Sequence, residues 1–137
     1  MTPSRVLESA LYVTDLDAAE YFYGEVLGLE PAGKAPGRHV FFRCGQSIVL
    51  LFNAEATRIP PKPDARLPVP PHGAVGDGHL CFAATEAGID AWKARLAEHG
   101  VAVEAEFEWP KGGRSIYVRD PSGNSIEFAN PSIWGLE

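Results

Sequence analysis

The sequence has few of the features that define several large protein classes. No apolar run approaches the roughly 20 residues that a membrane-spanning helix requires. We therefore expect that the protein does not bind membranes. Basic residues are scattered and the net charge is −6 at pH 7, which argues against binding to nucleic acid. The first residues lack the apolar core of a signal peptide, and the expected location is therefore the cytoplasm.

Cysteine is also scarce. The two cysteines, Cys44 and Cys81, lie in separate strand-like runs with no metal-binding spacing between them. We predict that both are buried free thiols, in keeping with a reducing compartment.

What is present is the composition of a soluble globular protein. Hydrophobic residues make up 45% and charged residues 22% of the 137 residues, unlike a disordered chain. This length fits one domain of ordinary size or two very small ones that share a core. We expect a single domain over residues 1–137.

A predicted turn near the C-terminus organises the rest of the chain. In Asp120–Asn124, Pro121 favours a turn, and Gly123 and Asn124 tolerate the backbone of a tight reversal. The strand that follows places Glu127 on the opposite face from its two apolar neighbours. If those neighbours face the core, Glu127 faces solvent, a cavity or a metal.

The chain repeats one order of elements, β-α-β-β-β, on either side of a proline-rich segment. The predicted strands are Val6–Val13, Leu29–Ala32, His39–Cys44 and Ser47–Phe52, and then His79–Ala84, Val101–Phe107, Arg114–Arg119 and Ser125–Ala129. Asp15 and Thr85 are expected to cap the two helices, and Gly28 and Gly100 to end them. The run Gly45–Ile48 recurs as Gly123–Ile126, and a repeat of this kind indicates a duplicated unit.

These elements predict a first module at about residues 5–53, a linker at 54–77, a second module at about 78–130 and a tail at 131–137. The linker holds half of the chain's 12 prolines, which disfavours any helix or central strand within it. We expect this segment to be an extended linker or a surface loop, which could also act as a lid. His72 reads as an ordinary linker residue, and the apolar tail is expected to pack down.

Three stretches together resemble the vicinal oxygen chelate superfamily, which includes glyoxalases, bleomycin resistance proteins and extradiol dioxygenases. They are Leu11–Asp17 with the helix that follows, Gly78–Phe82, and the closing hairpin Gly112–Phe128. The resemblance implies an α+β fold in which two βαβββ modules pair into a cupped mixed sheet. It also implies a divalent metal held inside that sheet.

The family takes its metal ligands from the first and last strands of each module. On this sequence those places hold Glu8, His79 and Glu127, while the fourth place is apolar, either Val49 or Leu50. Glu8 stands where the relatives with three ligands usually have His. Two carboxylates and one imidazole suit Zn²⁺, Ni²⁺, Mn²⁺ or Fe²⁺, and alternation places all three opposite bulky core residues.

The resemblance implies a metal-dependent lyase, isomerase or transferase whose small oxygenated substrate chelates the metal. Glu8 and Glu127 are the predicted catalytic carboxylates, with Glu8 favoured as the base. The predicted substrate contacts are Tyr12, Trp109 and Arg114. A homodimer is the expected assembly.

Two other functions stay open. One is a metal-free protein that sequesters a drug or metabolite, as bleomycin resistance proteins do. The other, less favoured, is an Fe²⁺ extradiol dioxygenase.

Overall fold

Both halves of the chain show the β-α-β-β-β order in a computed structural model that describes all residues from 1 to 137. They form two units, unit 1 (Met1–Gly76) and unit 2 (Asp77–Glu137), and each contains one four-stranded mixed sheet. The predicted α+β fold class of two βαβββ modules is confirmed.

Unit 1 has the sheet order β1-β4-β3-β2, in which β1 and β4 are parallel and the other pairs are antiparallel. Its elements are β1 (Glu8–Tyr12), α1 (Leu16–Tyr21), a π-helical turn (Phe22–Val26), β2 (Glu30–Ala35), β3 (His39–Cys44), β4 (Ser47–Phe52) and α2 (Ala54–Thr57). Asp15 caps α1 as predicted, because its carboxylate accepts a hydrogen bond from the Ala18 amide at 3.0 Å.

Unit 2 repeats this arrangement in the sheet order β5-β8-β7-β6, again with the first pair parallel. Its elements are β5 (His79–Ala83), α3 (Glu86–Glu98), β6 (Ala105–Glu108), β7 (Arg114–Arg119), β8 (Ser125–Ala129) and a 3₁₀ turn (Pro131–Trp134). Thr85 caps α3 as predicted, accepting from the Gly88 amide at 3.0 Å. No helix in either unit combines the length and apolar character needed to cross a membrane.

Several predicted segments differ from the structure; β1 is shorter than predicted (Glu8–Tyr12), and β2 runs on to Ala35. The strand predicted from Val101 begins only at Ala105, because the Val101 amide instead bonds to the Leu96 carbonyl and closes α3. The linker prediction was wrong at its start, where the short helix α2 forms ahead of the first proline. In the tail, Trp134 is exposed rather than packed.

One face of each sheet packs against the helical segment of its own unit. In unit 2, the buried face carries Ile126 and Phe128, and Phe128 stacks on Trp92 of α3 with ring centroids 4.4 Å apart. In unit 1, the π-helical turn packs Tyr23 against Phe42. We call the opposite face of each sheet its distal face. All residues discussed as candidate ligands lie there.

The turn between β7 and β8 is built by one buried side-chain network. The Asp120 carboxylate accepts from the amides of Ser122 and Asn124 and from the Asn124 side chain, all at 2.9 Å. Gly123 takes the left-handed conformation (φ 89°) that a side chain would strain. Asn124 Oδ1 also accepts from the Gly78 amide at 2.7 Å. The turn therefore fixes the start of β5 as well as the start of β8.

Replacing Asn124 by Ala removes these side-chain bonds and leaves buried partners unsatisfied. We expect the free energy of unfolding to fall by about 3 kcal/mol, measured by chemical denaturation. Glu108→Ala on the exposed strand β6 is the control, with an expected change within about 0.5 kcal/mol. A loss in Asn124→Ala no larger than in the control would contradict this account of the turn.

Candidate metal centre and ligand cavity

Glu127 lies in the middle of β8, paired with Cys81 of β5 on one side and Tyr117 of β7 on the other. It is only 6% exposed. Of the three surroundings left open by the sequence, bulk solvent is therefore excluded. A buried carboxylate must be hydrogen-bonded or paired with a cation, because its desolvation is otherwise costly.

His79 supplies one partner of this carboxylate. Its Nε2 atom lies 3.2 Å from Glu127 Oε2, and its Nδ1 atom lies 3.0 Å from the backbone carbonyl of Ser125. A carbonyl only accepts hydrogen bonds, so Nδ1 carries the proton and Nε2 of the neutral ring has a lone pair. That lone pair faces a carboxylate oxygen, an arrangement stabilised by a proton or a metal cation between the two atoms.

Two further side chains hold the other oxygen of Glu127. The Ser115 hydroxyl donates to Glu127 Oε1 at 2.6 Å, and the Trp109 indole N–H donates to Ser115 Oγ at 2.8 Å. This relay fixes the carboxylate so that Oε2 points to His79. Outer partners of this kind orient metal ligands. Ser115 was not predicted, although alternation along β7 placed it on the same face as Tyr117.

The surroundings of Glu127 also affect two acidic groups. Partial desolvation of the sulfur, together with the Glu127 carboxylate, raises the pKa of the Cys81 thiol to about 12. Burial and a hydrogen bond to Glu127 likewise raise the pKa of Tyr117 to about 12. Both groups are neutral near pH 7. The prediction that Cys81 is buried was wrong, because it lies exposed on the distal face.

Glu8 occupies the matching place in unit 1, exposed at the start of β1. Glu8 pairs with Ile48 and His79 pairs with Ser125, so Leu50 is the residue that corresponds to Glu127. The structure thus selects Leu50 over Val49 at the apolar fourth place. No three His, Cys, Asp or Glu side chains come together as a metal site. Of the predicted ligands, His79 and Glu127 are in contact.

Arg114 is placed differently from the other predicted substrate contacts. It lies on the buried side of β7, where its guanidinium pairs with the acidic side chains of Glu86, Asp90 and Glu106 at 2.8–3.2 Å. It therefore points away from the face that carries Glu127. Trp109 is engaged in the relay to Ser115 and is 37% exposed.

A cavity of about 600 Å³ in unit 1 lies between the distal face and the linker, and Tyr12 contacts two of its lining residues, Phe52 and His72. The Tyr12 hydroxyl lies 2.7 Å from Nδ1 of His72, so this linker histidine is part of the site rather than an ordinary linker residue. The cavity is lined by Glu8, Arg38, His39, Phe41, Leu50, Phe52, Ala56, Thr57, Ile59, Pro61, Ala65, Leu67, Val69 and His72. An apolar cavity of this size with a few polar groups is typical of small-molecule sites.

His39 is the titratable group of this cavity whose pKa is most clearly perturbed. Burial lowers its pKa below the ordinary 6.5, and the charge of Arg38 lowers it further. Arg38 Nη1 lies 2.8 Å from His39 Nδ1 and donates to it, so Nδ1 acts as the acceptor. The ring is therefore neutral at pH 7 and presents its N–H from Nε2.

We expect the His39 resonances to titrate below pH 6.5, and Arg38→Met to bring the midpoint part of the way back. Because the folded-state pKa is depressed, this group's contribution to stability is present above pH 6.5 and is lost as the pH falls through the folded-state value. NMR titration of the histidine Hε1 signals measures both effects. Arg43→Met, on the same strand outside the cavity, is the control. A midpoint above 6.5 would contradict the assignment.

The family comparison agrees with the geometry. The family model described as "Glyoxalase/Bleomycin resistance protein/Dioxygenase superfamily" matches residues 5–128. No curated protein matches the chain at a significant level.

Solved structures are similar over nearly the whole chain. A lactoylglutathione lyase from Agrobacterium tumefaciens is 47% identical, with a TM-score of 0.91 over 99% of this chain and 100% of that one. A virulence protein from Salmonella typhimurium is 28% identical, with a TM-score of 0.67 over 95% of this chain and 98% of that one. An integron cassette protein from the Halifax Harbour sewage outfall, 22% identical with a TM-score of 0.73, covers 93% of this chain and 99% of its own, and shares the fold.

Proposed function

Because this chain belongs to the glyoxalase/bleomycin resistance protein/dioxygenase superfamily, we propose that it is a metal-dependent enzyme of the lyase, isomerase or transferase type. Its substrate is a small oxygenated molecule that chelates the metal. The observation that carries the proposal is the contact between His79 Nε2 and Glu127 Oε2. When the His79 ring is neutral with its proton on Nδ1, both atoms carry lone pairs, and a divalent cation can bind to both.

The proposed ligand atoms, one imidazole nitrogen and carboxylate oxygens, suit a divalent metal ion of borderline hardness. His79 Nε2 and Glu127 Oε2 are the proposed ligands from unit 2, and Glu8 is the third ligand predicted from the sequence. An imidazole with carboxylates suits Zn²⁺, Ni²⁺, Mn²⁺ or Fe²⁺. Such an ion supplies Lewis-acid polarisation of a substrate oxygen.

The protein's own residues supply orientation and proton transfer. The relay from Trp109 through Ser115 keeps one oxygen of Glu127 occupied and leaves the other for binding. Glu8, exposed at the start of β1, is the proposed general base. The similarity to a lactoylglutathione lyase supports the lyase class among the three.

A metal-free binding protein is the second candidate, and the apolar cavity of unit 1 favours it. Such a protein would need the cavity and would tolerate the loss of Glu8 or His79. We propose a cytoplasmic homodimer as the setting of either function.

Metal binding separates the two candidates. We expect the metal-free protein to bind one Ni²⁺ per chain, measured by calorimetry and elemental analysis. His79→Ala, Glu127→Gln and Glu8→Ala should each weaken binding by more than about 100-fold, whereas loss of the outer partner in Ser115→Ala should cost about 10–100-fold.

His99→Ala is the matched control, since His99 lies at the end of α3, and its affinity should equal that of the unmodified protein. Unchanged metal stoichiometry in both Glu8→Ala and His79→Ala would remove the proposed site.

A second prediction uses the apolar fourth place. Leu50→Glu installs a carboxylate at the position that corresponds to Glu127, and we expect Ni²⁺ affinity to rise by about tenfold, or about 1.4 kcal/mol. Val49→Glu is the matched control: Val49 is buried on the opposite face, so a charge there should destabilise the fold without strengthening metal binding. Equal Ni²⁺ affinity in Leu50→Glu and the unmodified protein would argue against a metal at this face.

A further inference from the structure

We propose that the cavity of unit 1 binds a carboxylate with an aromatic or branched apolar body, and that Arg38 receives its carboxylate group. This binding step names the ligand class for the cavity that favours the second candidate function, and it involves only residues of unit 1 and requires no metal.

The floor of the cavity is a cluster of rings on the distal face. Phe41 packs edge-on against Phe52 with centroids 5.5 Å apart, and the His39 ring stacks on Phe41 at 4.0 Å. Leu50 lies beside them on β4. Such a floor offers flat apolar surface to a hydrocarbon or an aromatic ring.

The roof is the linker, which is tied to the sheet at a defined point. The His72 amide donates to the Thr57 carbonyl at 3.0 Å, and the Thr57 hydroxyl donates to the His72 carbonyl at 2.6 Å. The His72 ring then contacts the Tyr12 hydroxyl. These bonds close the proline-rich segment into a loop over the cavity. Its prolines restrict the backbone, so little entropy is lost when a ligand binds.

The roof carries apolar side chains that the protein itself leaves uncovered. Ile59, Leu67 and Val69 line the cavity and are 70%, 77% and 52% exposed. Their burial against a ligand body would be favourable at about 25 cal/mol for each Å² removed from water. The apolar part of the proposed ligand would therefore contact the ring cluster of the floor on one side and the apolar side chains of the linker on the other.

Arg38 supplies the charge that selects an anion. Its guanidinium donates to His39 Nδ1 and lies 5.7 Å from the centre of the Phe52 ring, and it forms no ion pair in the protein. A guanidinium has five N–H donors, so most of these remain for a ligand. A carboxylate matches two of them side by side, which favours this anion over an uncharged polar group.

The strand register also gives the ligand a direction. Tyr12 and Phe52 pair at the Arg38 end of the sheet, while Glu8 and Ile48 pair at the other end. Glu8 and Tyr12 are four residue steps apart on β1, about 13 Å at the usual rise. A carboxylate bound at Arg38 thus extends its body toward Glu8. That the far end is the reacting end rests on the proposed function.

Calorimetric titration of the EDTA-treated protein with 3-phenylpropanoate and with 3-phenylpropanamide tests the proposal. The two compounds share one body and differ in charge. We expect the acid to bind at least about tenfold more tightly, the ratio that one charge-assisted contact provides. Arg38→Met should abolish the preference, whereas Arg43→Met, which removes a charge on β3 outside the cavity, should retain it.

A second variant tests the cavity itself. Ala65→Trp places a large side chain from the partly exposed linker into the space, and we expect it to weaken binding of both compounds by about tenfold with an unchanged melting temperature. Equal affinities for acid and amide, loss of the preference in Arg43→Met, unchanged binding in Ala65→Trp, or no binding of either compound at millimolar concentration would each overturn the proposal. Because no metal is present, a failure here is distinct from failure of the metal site.

Discussion

The arrangement of unit 2 depends on one buried carboxylate, that of Glu127 in the middle of β8, which must have partners because it is removed from water. Glu127 is 6% exposed, and such a group is retained only when its oxygens are paired. Ser115 donates to one oxygen, and the other lies 3.2 Å from Nε2 of His79, whose Nδ1 donates to the Ser125 carbonyl. The pair is thereby oriented before any ligand arrives.

The same turn positions both members of that pair. Asn124 bonds to Asp120 within the turn and to the amide of Gly78, the residue before His79. The Ser125 amide in turn bonds to the Gly78 carbonyl. Since β5 and β8 are parallel neighbours, these bonds set their register, and a slip of one residue would send Glu127 to the opposite face.

Local signals made much of this predictable, whereas long-range packing did not. The turn at Asp120–Asn124 and the cap at Thr85 depend on nearby residues, and the structure shows both. The relay through Ser115 depends on an indole brought across from another strand end, and the role of His72 depends on how the linker folds back onto the sheet. The spacing of residues along the chain predicts neither contact. The sequence does not distinguish Val49 from Leu50 at the apolar fourth place, because that choice depends on which residue of β4 pairs with Glu8.

The most direct test is anomalous X-ray diffraction from crystals of the protein grown with Mn²⁺ or Ni²⁺. The account predicts a peak between His79 and Glu127, at about 2.1 Å from His79 Nε2 and from Glu127 Oε2. An anomalous map with no peak there, and with His79 Nε2 and Glu127 Oε2 still 3.2 Å apart, would contradict it.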